Sequence, residues 1–492
     1  MVGGSSMADE IQSIALVSLG CPKNLVDSER MLGLLANDGL VVTADAREAD
    51  AIVINTCGFL EASKVESMGE IHRAIRLKEK GKCRRVVVAG CLVQRHKTRL
   101  LAEAPGIDRL VGVFDRDHIV EAVRGTGNAG REGHFLGKYH DLSRRLAENT
   151  AGKPAGYTGE TRPPVFEDDR GRLRLTPRHY AFLRLSEGCN QGCAFCTIPS
   201  IRGPMRSKPI EQILAEAREL AADGAVELNL IGQDTTSYGT DIGYEPGLSG
   251  LIKTLDKELK DVHWLRLMYA YPSCFTDEMI RALAQSGRMA PYIDMPLQHI
   301  NDELLTLMKR RVTRRQIETL LGKLRKWMPG ITIRTTFIAG SPGETDGQHR
   351  ELVEFVREFG FDMMGVFAFS AEPGTPMGRM EGQIPDAVKK ARVEELMLAQ
   401  QEIAFAKARE KIGKKVEVLI DRASKRKGQW IGRTGGQAPE IDSVTIVEAS
   451  PSTVEGAELH AGKMVTVKVS GSRGYDLLAE VPEGRSLPVV ES

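Results

Sequence analysis

The sequence predicts an α/β protein in three parts: an N-terminal doubly wound parallel sheet, a central partial (β/α)6 barrel of the TIM kind, and a small C-terminal β-barrel. Three observations predict it. Strand-like apolar runs alternate with helical patterns from residue 11 to about 125, and six further strand-helix units follow between Tyr180 and about Ser370. After a long helical stretch from Asp386 to Glu410, the pattern turns to short alternating segments with Gly-rich turns. The expected boundaries are a tail over 1–10, a first domain over 11–125, a linker over 126–178, the barrel over 179–410 and the small domain over 411–485.

In the first domain the strands read as Ile14 to Ser18, Ala51 to Asn55, Arg85 to Ala89 and Arg109 to Val113. Amphipathic segments near Val26 to Ala36, Glu61 to Lys80 and Leu92 to Ala102 separate them. The linker is rich in Gly, Pro, Arg and Asp and leaves room for one short helix and a hairpin. The barrel strands read as Ala181 to Leu185, Glu227 to Ile231, Trp264 to Met268, Tyr292 to Met295, Thr332 to Ile338 and Met363 to Phe369. Helices are expected at Ile210 to Ala222, Thr276 to Gln285, Arg315 to Trp327 and Gly347 to Phe359. In the last domain, strands are expected at Val416 to Ile420, Trp430 to Arg433, Val444 to Ile446, Met464 to Val469 and Asp476 to Glu480.

Composition narrows the function classes. A net charge of +1 gives the whole chain no electrostatic case for generic binding to nucleic acid or to an anionic membrane. No apolar run reaches the roughly 18 residues that span a bilayer, and no signal-peptide pattern opens the chain. A cytoplasmic protein is expected, with Met1 to Ser6 read as a tag scar or tail and Met7 as a natural start. In a reducing compartment the 8 cysteines are better read as metal ligands or buried thiols than as disulfides.

Two groups of cysteines carry the chemistry. Cys189, Cys193 and Cys196 fall at i, i+4 and i+7 in a loop directly after the first barrel strand, with Phe195 before the last. A structural zinc site wants four protein ligands, and only His179 and the distant Cys274 are candidates for a fourth. Three thiolates with one vacancy point instead to a 4Fe-4S cluster with one open iron. Cys21, Cys57 and Cys91 each follow a different strand of the first domain. In open parallel sheets ligands bind at that edge, so three loops could bring the thiolates together around a second cluster. Each could also be a small buried apolar residue, the reading kept for Cys83 and Cys274. The basic run Lys309 to Arg315 is either a solvated helix end or a rim for a ribosomal or RNA partner.

The Cys189/Cys193/Cys196 spacing resembles the signature of the radical S-adenosylmethionine (SAM) enzymes, and the C-terminal pattern resembles a TRAM domain. Taken with the three N-terminal cysteines, the chain resembles the methylthiotransferases over nearly its whole length. Ser18-Leu19-Gly20-Cys21-Pro22-Lys23-Asn24 and Gly232-Gln233-Asp234-Thr235-Thr236-Ser237-Tyr238-Gly239 are similar to the ribosomal-protein branch. The resemblance implies two 4Fe-4S clusters and SAM as cofactors. It places Phe195, Gly232, Gln233, Gln298, Gly340 and Glu344 at the SAM site, with the Gly232 turn near the amino group and the Gly340 turn near adenosine.

The reaction it implies is transfer of a methylthio group to the β-carbon of an aspartate in small-subunit ribosomal protein twelve. That carbon is unactivated, so a radical route replaces acid-base chemistry. SAM cleaved at the Cys189/Cys193/Cys196 cluster would supply a 5'-deoxyadenosyl radical that removes the β-hydrogen. The Cys21/Cys57/Cys91 cluster would hold the sulfur that a second SAM methylates. The implied partners are that ribosomal protein, within or outside its subunit, and a low-potential electron donor, with no membrane and no direct nucleic-acid substrate. In the TRAM-like region Lys and Arg are nearly cancelled by Asp and Glu, which leans toward a protein substrate. Two rivals stand beside this reading: a tRNA adenosine methylthiotransferase, and an iron-sulfur electron-transfer module without SAM chemistry.

Overall fold

The computed structural model describes residues 10–126, 134–136, 168–449 and 459–482. The opening stretch and most of residues 126–178, where a short helix and a hairpin are expected, lie outside them. The chain divides into two compact units. One holds residues up to 175 together with 187–192 and 196–206; the other holds 176–186, 193–195 and 207–492.

The first unit is built on a five-stranded sheet of β1 (Ser13–Ser18), β2 (Val41–Val42), β3 (Ala51–Thr56), β4 (Arg85–Gly90) and β5 (Arg109–Val111), in the order β2-β1-β3-β4-β5. Every pairing is parallel. Ile52, Val53 and Ile54 of β3 and Val86, Val87 and Val88 of β4 are branched and buried, as a parallel sheet covered on both faces requires. Val53 and Val87 meet Met31, Leu32 and Leu35 of the helix Pro22–Asn37 and Ile119 and Val123 of the helix Ile119–Arg124. On the other face, Ile54 and Val88 meet Ile71, Leu92 and Leu100. The sheet is therefore doubly wound, as expected. One difference is local: the helix expected over Leu92 to Ala102 breaks into Cys91–His96 and Arg99–Glu103, because Lys97 takes φ 53° between them. Residues 168–175 pack back on this unit, where Leu173 N–H donates to Glu29 O at 3.1 Å and Arg116 pairs with Asp169 at 3.2 Å.

In the second unit six parallel strands follow one another in sequence order: β6 (Tyr180–Arg184), β7 (Glu227–Ile231), β8 (Trp264–Leu267), β9 (Met289–Asp294), β10 (Thr332–Ala339) and β11 (Met363–Ala368). The two end strands do not pair, so the (β/α)6 sheet is open, as expected. Side-chain caps fix the helix starts between the strands. Thr313 with Gln316 and Thr345 with Gln348 form capping boxes for Arg314–Trp327 and Asp346–Phe359, and Thr276 caps Asp277–Gln285. A helix beyond those expected runs over Gly247–Glu258, where buried Leu248, Leu251, Ile252 and Leu255 carry a helical period behind a Gly-rich start. β9 starts at Met289, three residues before the expected Tyr292. Pro291 argues against a strand there, and the structure accommodates it beside a register shift between β8 and β9.

After the helix Asp386–Glu410 come β12 (Lys415–Ala423), β13 (Gln429–Thr434), β14 (Thr445–Glu448), β15 (Met464–Arg473) and β16 (Asp476–Glu480). They close in the order β12-β13-β14-β16-β15, around Val418, Ile420, Val447, Val465, Val467 and Ala479. A buried ion network ties this barrel to the starts of the parallel strands. Glu227, at the head of β7, takes Arg433 Nη1 at 2.6 Å and Arg266 Nε at 2.7 Å, and all three side chains are almost fully excluded from water. Arg433 also holds Asp421 through Nε and Nη2, both at 2.9 Å, and His179 reaches Asp421 at 2.8 Å. Burial works to raise the Glu227 pKa, but Arg433 and Arg266 outweigh it and hold the carboxyl below its ordinary range.

Removing one member of such a network strands a charge away from water. Arg433→Met is expected to destabilise the second unit by about 3 kcal/mol, read as a lower midpoint of thermal unfolding. A wild-type midpoint would show that the network contributes nothing to holding the barrel.

Candidate cluster sites

The three strand-end cysteines of the first unit come together. Cys21 precedes the helix Pro22–Asn37 as its N-cap residue, Cys57 follows β3, and Cys91 opens the helix after β4. The loops touch so closely that side chains are excluded beside the thiols. A Cβ on Gly20, whose φ is +92°, would stand 2.8 Å from Cys57 Cβ and 3.1 Å from its Sγ. A Cβ on Gly58 would stand 2.6 Å from Leu92 Cα. Burial pushes the Cys91 thiol up to about 12; the Arg202 charge opposes this, while Cys21 and Cys57 are near enough to add to it. Cys83 stands apart: it is buried in the sheet's apolar layer, and burial likewise raises its thiol.

Arg202 is the feature that sequence reasoning missed. It ends the short helix Ile198–Arg202 and donates from Nε and Nη2 to Cys91 Sγ at 3.3 and 3.2 Å. Nη1 donates to Glu187 Oε2 at 2.8 Å, and Nη2 pairs with Asp27 Oδ2 at 3.0 Å. Asn24, in the motif that follows Cys21, accepts from Nη2 at 3.2 Å and anchors its own amide on Leu19 O at 2.5 Å. The available signal was an arginine set among apolar residues six positions after Cys196.

In the loop of the other triad, Cys189 N–H donates to Gly203 O at 3.2 Å, and Cys196 Sγ accepts from Ile198 N–H at 3.4 Å. Cys193 is held differently. Arg310 Nη1 donates to its Sγ at 3.5 Å, and Tyr271 Oη lies 3.6 Å from the same sulfur. The guanidinium of Arg310 stacks over the Tyr271 ring at 4.1 Å. Arg310 is thus buried, although it sits in the basic run, and Arg314 of that run is paired with Glu318 and Glu351. His179, one candidate for a fourth ligand, is committed to Asp421.

Among the described residues no three His, Cys, Asp or Glu side chains converge as one metal ion requires. A cubane asks for something else, because each thiolate takes a different iron. For SAM, the fitting observation is a set of buried polar atoms without a hydrogen-bond partner: Ser186 Oγ, His299 Nε2 and Ser341 Oγ, each just past the end of a parallel strand. Such atoms suit a polar ligand. A Cβ on Gly232 would stand 2.9 Å from Ser186 Oγ, so the Gly232-Gln233 turn lies against that hydroxyl.

Gln298 takes φ 74° after β9 and exchanges backbone bonds with β10. Phe195 packs on Ala194, Met308, Phe369 and Met377. Gly340 and Glu344 face each other: Glu344 Oε2 accepts from the Gly340 and Ser341 amides at 2.7 and 3.0 Å, which fixes the turn. Burial lowers the pKa of His299 to about 3, with His349 and Arg392 adding to the shift, so the ring is neutral. Its Nδ1 accepts from Asn301 N–H at 3.0 Å, leaving Nε2 as the protonated nitrogen.

Comparison with known proteins agrees with this layout. Residues 13–112 match Uncharacterized protein family UPF0004, residues 183–356 the Radical SAM superfamily, and residues 412–481 the TRAM domain. A Ribosomal protein uS12 methylthiotransferase RimO of Desulforamulus reducens is 40% identical over 473 residues, covering 96% of this chain and 100% of the relative. The same-named protein of Pelotomaculum thermopropionicum is 41% identical over 468 residues, 95% of this chain and 98% of the relative. The chain belongs to the RimO family of radical SAM methylthiotransferases. Among solved structures, the radical SAM methyltransferase TsrM from Kitasatospora setae, with tryptophan and a SAM analogue bound, superposes with a TM-score of 0.52 at 17% identity. It covers 75% of each chain and shares the fold.

The packing at Gly20 gives a direct test. Gly20→Ala forces its methyl into Cys57 and is expected to lower bound iron by roughly four atoms per chain, one cubane. Gly39→Ala carries the same backbone strain at φ +86° with nothing within 4 Å, and should leave the iron content unchanged. Equal iron in both variants would remove the Gly20-Cys57 contact from the site.

Proposed function

We propose that the protein transfers a methylthio group to the β-carbon of an aspartate in small-subunit ribosomal protein uS12, using two 4Fe-4S clusters and SAM. The observation that carries this reading is the 40–41% identity, nearly end to end, with proteins named as uS12 methylthiotransferases. The cysteine arrangement supports the same reading. Cys189, Cys193 and Cys196 would hold the SAM-binding cluster, and Cys21, Cys57 and Cys91 the second one. Bound there, the first cluster with SAM supplies a radical able to take hydrogen from an unactivated carbon.

The chain's own residues would bind and orient. Arg310 and Tyr271 hold Cys193 in place, and the unpaired hydroxyls of Ser186 and Ser341 offer hydrogen bonds to the SAM polar groups. Phe195, Gly232, Gln233 and Gln298 would contact SAM, and Glu344 braces the Gly340 turn. Neutral His299 presents an N–H without bringing a charge. A low-potential electron donor is required. No helix among the described residues is long and apolar enough to cross a membrane, and a ribosomal-protein substrate supports a cytoplasmic enzyme.

Mass spectrometry of uS12 and of tRNA nucleosides, from cells with and without the gene, tests the substrate. The expected result is a gene-dependent methylthio mass gain confined to one uS12 peptide. A change only in tRNA adenosine would transfer the protein to the tRNA-modifying branch.

The division of labour is tested with the purified enzyme under reducing, oxygen-free conditions. Replacing Cys189, Cys193 or Cys196 by Ala is expected to abolish formation of methionine and 5'-deoxyadenosine from SAM. Replacing Cys21, Cys57 or Cys91 should spare some cleavage and end methylthiolation; equal loss from both sets would sink the assignment.

A further inference from the structure

Arg202 is 1% exposed and carries a charge that the surrounding carboxylates would suffice to neutralise. Asp27 and Glu187 stand 3.0 and 2.8 Å from it, and Asp27 is shared with the buried Arg116. Yet the guanidinium is not turned wholly toward oxygen. Two of its nitrogens, Nε and Nη2, aim at the sulfur of Cys91, at 3.3 and 3.2 Å. Ile201, one residue earlier, is fully buried with Cys91, Val113 and Phe114, so water does not compete for these bonds. A planar fork held by two carboxylates and an amide oxygen has no freedom to point elsewhere.

We infer that Arg202 sets the reduction potential of the cluster that Cys21, Cys57 and Cys91 would hold, by donating two N–H bonds to the Cys91 thiolate. The inference rests on the reading that these cysteines hold a second cluster. Hydrogen bonds to cluster sulfurs, net charge and solvent exclusion are the terms by which a protein tunes such a potential. Donors and a positive charge favour the reduced, more negative state, and a dry environment strengthens both effects. Glu187 works against Arg202: its carboxylate returns negative charge to the same pocket. The two residues should therefore move the potential in opposite directions, which a purely architectural role for Arg202 would not do.

The test uses the full chain with Cys189, Cys193 and Cys196 replaced by Ala, so that only the second cluster is present. Its midpoint is read by redox titration followed by electron paramagnetic resonance. Arg202→Lys keeps a charge but loses the fork, and is expected to lower the potential. The paired exchange of Arg202→Gln with Glu187→Gln removes one charge of each sign, leaves Asp27 to Arg116 and loses the same fork, so it should lower the potential by about as much as Arg202→Lys. The loss of the fork should change the ratio of oxidised to reduced cluster by roughly tenfold at fixed solution potential, about 59 mV for one electron.

Glu187→Gln alone should raise the potential. If Arg202→Lys fails to fold, that direction and the paired exchange still decide the matter. Unchanged potentials with iron retained would overturn the inference. So would loss of iron from a folded Arg202→Lys, which would make Arg202 a clamp and not a tuner. Absence of iron before Arg202 is touched would instead bring down the second-cluster reading itself.

Discussion

A carboxylate without water must be matched by charge at close range, and Glu227 at the head of β7 is matched twice, by Arg266 from the next strand and Arg433 from the C-terminal barrel. Much of the second unit follows from that constraint. The network lies at the starting ends of the parallel strands, and Gly435 O, bonded by Arg266 at 2.7 Å, lies there too. With one edge of the sheet occupied by the small barrel, the opposite edge is the one left for chemistry, which is where parallel α/β sheets bind ligands. Ser186, the Gly232 turn, His299 and the Gly340 turn all fall there.

The same logic governs the first unit. Strand ends deliver Cys21, Cys57 and Cys91 to one edge, and small residues let the loops close around them. Proximity alone would leave buried thiols protonated, as the raised Cys91 pKa indicates. A cationic donor opposes that tendency, and Arg202 meets Cys91 directly. Cys193 receives a comparable contact from Arg310, at the longer distance of 3.5 Å and with Tyr271 alongside. One arginine therefore attends one cysteine of each set.

What was legible in the sequence is what is local. Branched runs such as Val86 to Val88 form strands wherever they are covered on both faces, and the position of a cysteine after a strand fixes its edge. The helix Gly247–Glu258 was missed because its glycines masked a periodic apolar face, and β9 was cut short because proline usually ends a strand. Arg202 and Arg310 were illegible for a different reason. Their sulfur partners lie 111 and 117 positions away along the chain, so the apolar neighbours of Arg202 hint at burial but not at what it meets, and Arg310 is hidden in a run of like charges.

The basic run from Lys309 to Arg315 shows how little charge alone decides. Arg310 is buried and stacked on Tyr271, Arg314 caps two carboxylates, and the chain bends sharply at Lys309 and Arg311, with φ 56° and 51°. Those bends turn Arg310 inward between neighbours that face out. A lysine could supply the charge at position 202 or 310, but not several fixed donors in a plane. At Arg202 that plane is shared among sulfur, two carboxylates and an amide oxygen, so the position of the thiolate, its electrostatic environment and the burial of the loop are properties of one side chain.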